Sequence, residues 1–325
     1  MFMNHKGLVV LWFLFLNIYS ALPVTADSIK QTEDSNQVNV NHNFWKTFRQ
    51  DSILSFRNRK GYFPMLFHNL GQQAVSPFHM TGREALFVVG VSAFTTGMLF
   101  LDADIDRGFR PLKDRNPWLK EISPEFTQLG DYYGYGLLAA YGAYSMVFKK
   151  HKALHTAMLA SQAAISAGLW VRLIKVCTGR MRPGATYADR QYNEDHWFGP
   201  IAQFDPDTRK GRSVAAFDAF PSGHTAAAFA LAGVFAIQYS EYRAVPYVAY
   251  SLASLVAVSR LVEHEHWASD LLPGALIGYA CSRQVVHYYR SLFPEYSYRY
   301  NRKQHNSFIY FSNSGIPKIH YTLVF

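Results

Sequence analysis

The sequence predicts an all-α fold: a six-helix bundle with a polar N-terminal lead-in and a short C-terminal tail that reads as a β-hairpin. Three observations predict it. Uncharged, apolar-rich segments recur from residue 85 onward. Most are 16–17 residues long, beyond the usual length of a buried strand. No strand-rich block interrupts them before the tail. With 325 residues and 49% hydrophobic content, the chain can bury a sizeable core as one main domain with extensions.

In chain order, residues 1–26 read as an export signal. Lys6 supplies a weak positive start, Gly7 to Leu22 is largely apolar, and Val24-Thr25-Ala26 fits a small-residue cleavage site. An uncleaved anchor is the other reading. Residues 27–83 read as a polar lead-in with some short helix, not as a separate domain. The main domain is expected over 84–290, with helices at 85–101, 132–148, 156–171, 225–240, 244–259 and 271–282. Residues 291–325 form an aromatic-rich tail, in which 307–312, 313–315 and 316–325 read as strand, turn and strand. One hairpin cannot close a barrel, so edge packing on the domain is the expected role.

A formal charge of +9 favours anionic partners. No dense Lys/Arg stripe interleaved with aromatics occurs, which argues against nucleic acid and leaves phospholipid surfaces and small phosphates. Asp102, Asp104 and Asp106 mimic the opening of a calcium loop, but Arg107 and Lys113 stand where such a loop needs Gly and Glu. They read instead as a charged helix end. Cys177 and Cys281 read as two small buried thiols, with a disulfide after export as the alternative.

Three short runs carry the chemistry. They are Lys175 with Arg182-Pro183, then Pro221-Ser222-Gly223-His224, then Ser259-Arg260 with His266 and Asp270. Thirty-four residues separate His224 from Ser259, enough for a helix to travel out and the next to return at about 1.5 Å per residue. The second and third runs therefore meet at one end of the bundle. The first joins them if the 37-residue loop 184–220 returns to its starting level. Ser222 and Gly223 precede a helix, so hydroxyl and backbone N–H groups can donate to a phosphate oxygen. Lys175, Arg182 and Arg260 can surround the remaining oxygens and stabilise charge at phosphorus. His266, oriented by Asp270, can act as nucleophile, and His224 can protonate the leaving oxygen and later activate water. The scheme needs no metal and no other cofactor. Arg180, Glu263 and His264 read as neighbours with at most a supporting role, a plain surface role being the equal alternative.

The runs resemble the type 2 phosphatidic acid phosphatase (PAP2) superfamily, whose signature is Lys-x6-Arg-Pro, Pro-Ser-Gly-His and Ser-Arg-x5-His-x3-Asp. Every signature position is matched, and the resemblance covers about residues 85–290. It implies a PAP2-type bundle and a phosphohistidine intermediate on His266, with His224 as acid/base and Asp270 as orienter. It also implies phosphate binding by Lys175, Arg182, Ser222, Gly223 and Arg260. The expected activity is hydrolysis of phosphate esters or pyrophosphates of envelope lipids: phosphatidic acid, phosphatidylglycerol phosphate, undecaprenyl pyrophosphate or lipid A phosphate. The alternatives are a periplasmic acid phosphatase acting on soluble monoesters and, further off, a vanadium haloperoxidase.

The expected setting is a bacterial cell envelope, either in the inner membrane with the site facing the periplasm or in the periplasm itself. Uncharged stretches of 16–17 residues fall short of the roughly 20 that span a bilayer comfortably, so membrane contact is expected as integral or peripheral. The basic loop 149–152 would prefer the cytoplasm, opposite the catalytic rim. Trp197, Phe198, Phe204, Phe217 and Phe220 make loop 184–220 a candidate lid or acyl-chain entrance, with a plain connection as the other reading.

Overall fold

The computed structural model describes residues 61–188, 196–293, 307–311 and 317–321; the export-signal reading of 1–26 lies outside them. Eleven α-helices occur among the described residues: α1 (Tyr62–Val75), α2 (Gly82–Leu99), α3 (Asp102–Arg115), α4 (Pro117–Leu129), α5 (Tyr132–Val147), α6 (His151–Thr178), α7 (Pro183–Ala188), α8 (Pro206–Arg209), α9 (Gly223–Gln238), α10 (Ala244–Val262) and α11 (Ala268–Leu292). Strands β1 (Ser307–Phe311) and β2 (Pro317–Tyr321) pair antiparallel, with Ile309 opposite Ile319.

Helix α9 is the axis of the bundle and packs against α6, α10 and α11. Its buried positions are mostly small, including Ala226, Ala227, Ala230 and Gly233. Small side chains let neighbouring backbones approach closely. A Cβ added at Gly274 of α11 would lie 2.5 Å from the Ser222 carbonyl oxygen. This near-contact holds the start of α9 against the start of α11, and the Ser222 N–H donates to the Asp270 carbonyl (3.1 Å).

Helices α6 and α11 are longer than the apolar runs 156–171 and 271–282, with 28 and 25 residues. The extra turns contain polar residues that find partners inside the fold: Lys175 contacts Asp218, and Gln284 accepts from Gln73 (2.8 Å). Helix α1, within the expected lead-in, packs on α6 and α11. Asn69 donates to Gln162 (3.3 Å) and Trp170 donates to Gln73 (2.7 Å).

Helices α3 and α4 were not among the six expected. Their bundle-facing residues are polar (Asp102, Asp106, Ser123 and Thr127), while Leu101 beside α3 and Trp118 and Ile122 on α4 are exposed. An inward polar face leaves no apolar run to flag. The same inversion recurs outside the core: Leu86 and Phe94 on α2, Leu137 on α5, Leu169 on α6 and Tyr247, Leu252 and Leu255 on α10 all face outward. Cys177 and Cys281 are free thiols, so no disulfide joins them.

Candidate active site

Four helix ends and two linkers meet at one end of the bundle. Lys175 lies in the last turn of α6, which stops at Gly179 in the left-handed conformation (φ 56°). A Cβ there would lie 2.4 Å from the Gly199 carbonyl oxygen, so Gly179 allows both the turn and the close approach. The linker then delivers Arg180 and Arg182. Ser222 caps α9, its hydroxyl 2.9 Å from the Thr225 hydroxyl, and Gly223 and His224 are the first residues of that helix. Ser259 and Arg260 sit in the last turn of α10. His266 precedes α11, and Asp270 lies in its first turn, accepting from the Trp267 N–H (2.8 Å).

Direct contacts join the cations. Asp218 Oδ1 accepts from Arg182 Nε (2.9 Å), and Lys175 Nζ donates to the Asp218 carbonyl oxygen. Glu265 is paired with Arg182 and lies 3.5 Å from Arg260. Arg260 also donates to Thr127 Oγ1 (3.2 Å), which bonds Ser259 Oγ (2.9 Å). The three sequence-predicted cations therefore share one cluster, held by two carboxylates. Neither carboxylate was singled out in the sequence. Asp218, a charge between the buried rings of Phe217 and Phe220, was the legible signal.

His266 is buried, with Nδ1 3.4 Å from Asp270 Oδ2. Its Nε2 is also buried and has no hydrogen-bond partner among the described residues. Burial, followed by the fields of Lys175, Arg182, Arg260 and His224, holds the imidazole well below its usual pKa. His224 lies 3.6 Å from Asp131, and burial and the same cations push it down to about 3. Both rings are neutral beside a concentrated positive charge. Such a site binds anions and keeps an imidazole nitrogen unprotonated for attack on an electrophile.

Two neighbours differ from their sequence reading. Arg180 is fully buried and donates to Asp270, Ser269 and Asp102. Asp102, read as part of a charged helix end, is also fully buried. The aromatics of loop 184–220 do not collectively form a lid. Phe217 and Phe220 are buried, Trp197 packs on Phe220 and Arg180, and Phe198 packs on Phe217, while Phe204 is exposed.

Residues 153–294 match the family model described as "PAP2 superfamily". This segment is therefore similar to the PAP2 superfamily. The match contains all eleven signature positions given above. Among curated relatives, a lipid A 1-phosphatase of Porphyromonas gingivalis is 47% identical over 64 residues, 19% of this chain and 14% of that protein. A probable diacylglycerol pyrophosphate phosphatase of Schizosaccharomyces pombe is 33% identical over 141 residues, 39% of this chain and 50% of that protein. A lipid A 1-phosphatase of Rhizobium etli is 26% identical over 207 residues, 60% of this chain and 80% of that protein. The chain therefore spans half or less of the first two relatives. A solved PAP2-type phosphatidylglycerolphosphate phosphatase from Bacillus subtilis aligns over 66% of this chain and 98% of its own, with 18% identity and a TM-score of 0.43.

Proposed function

We propose that this protein hydrolyses a phosphate ester or pyrophosphate of an envelope lipid at the cationic cluster. The phosphoryl group sits among Lys175, Arg182, Arg260 and the Ser222-Gly223 start of α9. The unpartnered His266 Nε2 attacks phosphorus and the bond to the leaving oxygen breaks; His224, protonated once the bound phosphate's negative charge offsets Lys175, Arg182 and Arg260, delivers its proton to that oxygen. Asp270 offsets the charge that develops on the imidazole. Water then attacks the phosphohistidine, His224 takes its proton, and phosphate leaves. Lys175, Arg182 and Arg260 supply the positive charge that stabilises the transition state.

One observation carries the lipid half of the reading. An apolar groove of about 560 Å³ runs between α5, α9 and α10, lined by Leu138, Leu231, Phe235, Val248, Leu252 and Val256 among others. Its Val256 end abuts the site. A Cβ at Gly130 would lie 2.7 Å from Val256 Cγ1 and 2.9 Å from the His224 carbonyl oxygen. On α10, the lining from Val245 to Val256 spans roughly 16 Å. An acyl chain lying there would present its phosphate to the cluster.

Membrane contact is supported by two helices, α6 and α10, that are long and apolar enough to cross a bilayer. The bent pair α2–α3 makes a third if it is one span. The outward-facing apolar side chains fit a hydrocarbon surrounding. We place the catalytic end on the periplasmic face, since the basic turn 149–152 lies at the opposite end of α6.

The test is phosphate release by the full chain in detergent from lipid A 1-phosphate, phosphatidic acid, phosphatidylglycerol phosphate, undecaprenyl pyrophosphate and p-nitrophenyl phosphate. One lipid is expected to exceed the soluble ester in kcat/KM, and His266→Ala to abolish release. Preference for the soluble ester by more than about tenfold, ~1.4 kcal/mol, sinks the lipid reading.

A further inference from the structure

A buried charge network stands behind Asp270. Asp270 Oδ2 faces His266 (3.4 Å) and accepts from the Trp267 N–H, while Oδ1 accepts from Arg180 Nη1. The same guanidinium donates to Ser269 Oγ (2.8 Å) and, through Nη2, to Asp102 Oδ2 (2.6 Å). Asp102 Oδ1 accepts from the Ser269 N–H (2.9 Å), and its Oδ2 accepts from the Ser269 hydroxyl. Arg180, Asp102 and Asp270 are each fully buried. Arg180 lies between two indoles, 4.7 Å from the Trp197 ring centre and 5.5 Å from that of Trp267.

From this geometry we infer that Arg180 and Asp102 are positioning residues for the His266–Asp270 pair; the inference rests on the catalytic reading of that pair. Arg180 fixes the carboxylate plane through Oδ1, leaving Oδ2 turned to His266 Nδ1. Alone, its charge would cancel that of Asp270. Asp102 supplies the second carboxylate, so the trio keeps one net negative charge facing the imidazole. That charge stabilises the positive imidazole formed when Nε2 bonds to phosphorus. Asp102 opens α3, Arg180 follows α6 and Asp270 opens α11, so three separate elements set one carboxylate.

The test compares full-length wild type, Asp102→Asn, the doubly uncharged Asp102→Asn/Arg180→Met and His266→Ala in p-nitrophenyl phosphate hydrolysis. In Asp102→Asn, kcat is expected to fall about 10- to 100-fold, as for other residues that orient a catalytic ligand. KM should stay within about twofold, since the phosphate contacts are untouched. The acid limb of the kcat profile should move to lower pH, because an uncompensated Arg180 weakens Asp270's hold on a positive imidazole. A merely structural role would lower folded yield without moving that limb.

The double variant removes both charges of the Arg180–Asp102 pair, leaves Asp270 held by the Trp267 N–H and keeps an apolar chain between the two indoles, so it provides a second protein to assay if the single variant does not accumulate. Its kcat should also fall about tenfold or more. Wild-type kcat and pH profile in either folded variant, beside an inactive His266→Ala, overturn this inference and leave the catalytic reading intact. An active His266→Ala, or an inactive wild type, overturns both.

Discussion

Gly278 of α11 lies so close to Ala226 of α9 that a Cβ at Gly278 would sit 2.1 Å from the Ala226 carbonyl oxygen. The two helices that carry His224 and Asp270 therefore meet backbone to backbone about two turns along α11 from Asp270. Gly278→Ala should destabilise the protein by about 1–3 kcal/mol, as overpacking does, and lower phosphate release with it. Gly71 in α1 has no neighbour within 4 Å of its added Cβ, so Gly71→Ala should be neutral or stabilising by about 1 kcal/mol. Thermal unfolding in detergent compares the two, and equal effects would remove the packing argument.

Glu265 pairs with Arg182 and Arg260, the guanidinium groups proposed to hold phosphate. Its carboxylate competes with an incoming anion. In Glu265→Gln, inorganic phosphate should inhibit more tightly by about fivefold to tenfold, ~1–1.4 kcal/mol. Competitive inhibition constants measure this directly, and an unchanged constant means that Glu265 does not contest the site.

Burial and the surrounding cations depress the His266 pKa below 6.5. Below pH 6.5 the unfolded chain therefore takes up a proton that the folded site refuses. Stability conferred by this depressed group is present above pH 6.5 and declines as pH falls toward the folded pKa. His266→Gln should accordingly lose less stability than wild type between pH 7.5 and 5. Parallel losses in the two proteins would contradict the assignment.

Ala249 lines the groove away from the histidines. Ala249→Trp should fill it and lower kcat/KM for the preferred lipid by about tenfold or more, leaving p-nitrophenyl phosphate within about twofold. Equal losses on both substrates would separate the groove from substrate binding.

The signature residues were legible because each stands at or beside a helix end, where rise per residue fixes which ends meet. Ser222 as cap and Arg260 in a last turn needed only local pattern and helix length. Arg180 and Asp102 were not legible, since a buried charge is defined by partners 78 and 90 positions away in sequence. Helices α3 and α4 escaped for the reverse of the usual reason: their polar faces turn inward and apolar side chains face out. Loop 184–220 looked like a lid because aromatic content does not tell which way a ring points. Phe217 and Phe220 are buried in the core, and the apolar groove lies between α5, α9 and α10 instead.

The central claim is that His266 carries the phosphoryl group. Brief incubation with ³²P-labelled lipid phosphate, an alkaline quench and peptide mapping test it most directly. Alkali-stable, acid-labile label on the peptide containing His266, absent in His266→Ala, is the predicted result. Turnover with label on another residue, or undiminished turnover by His266→Ala, would contradict it.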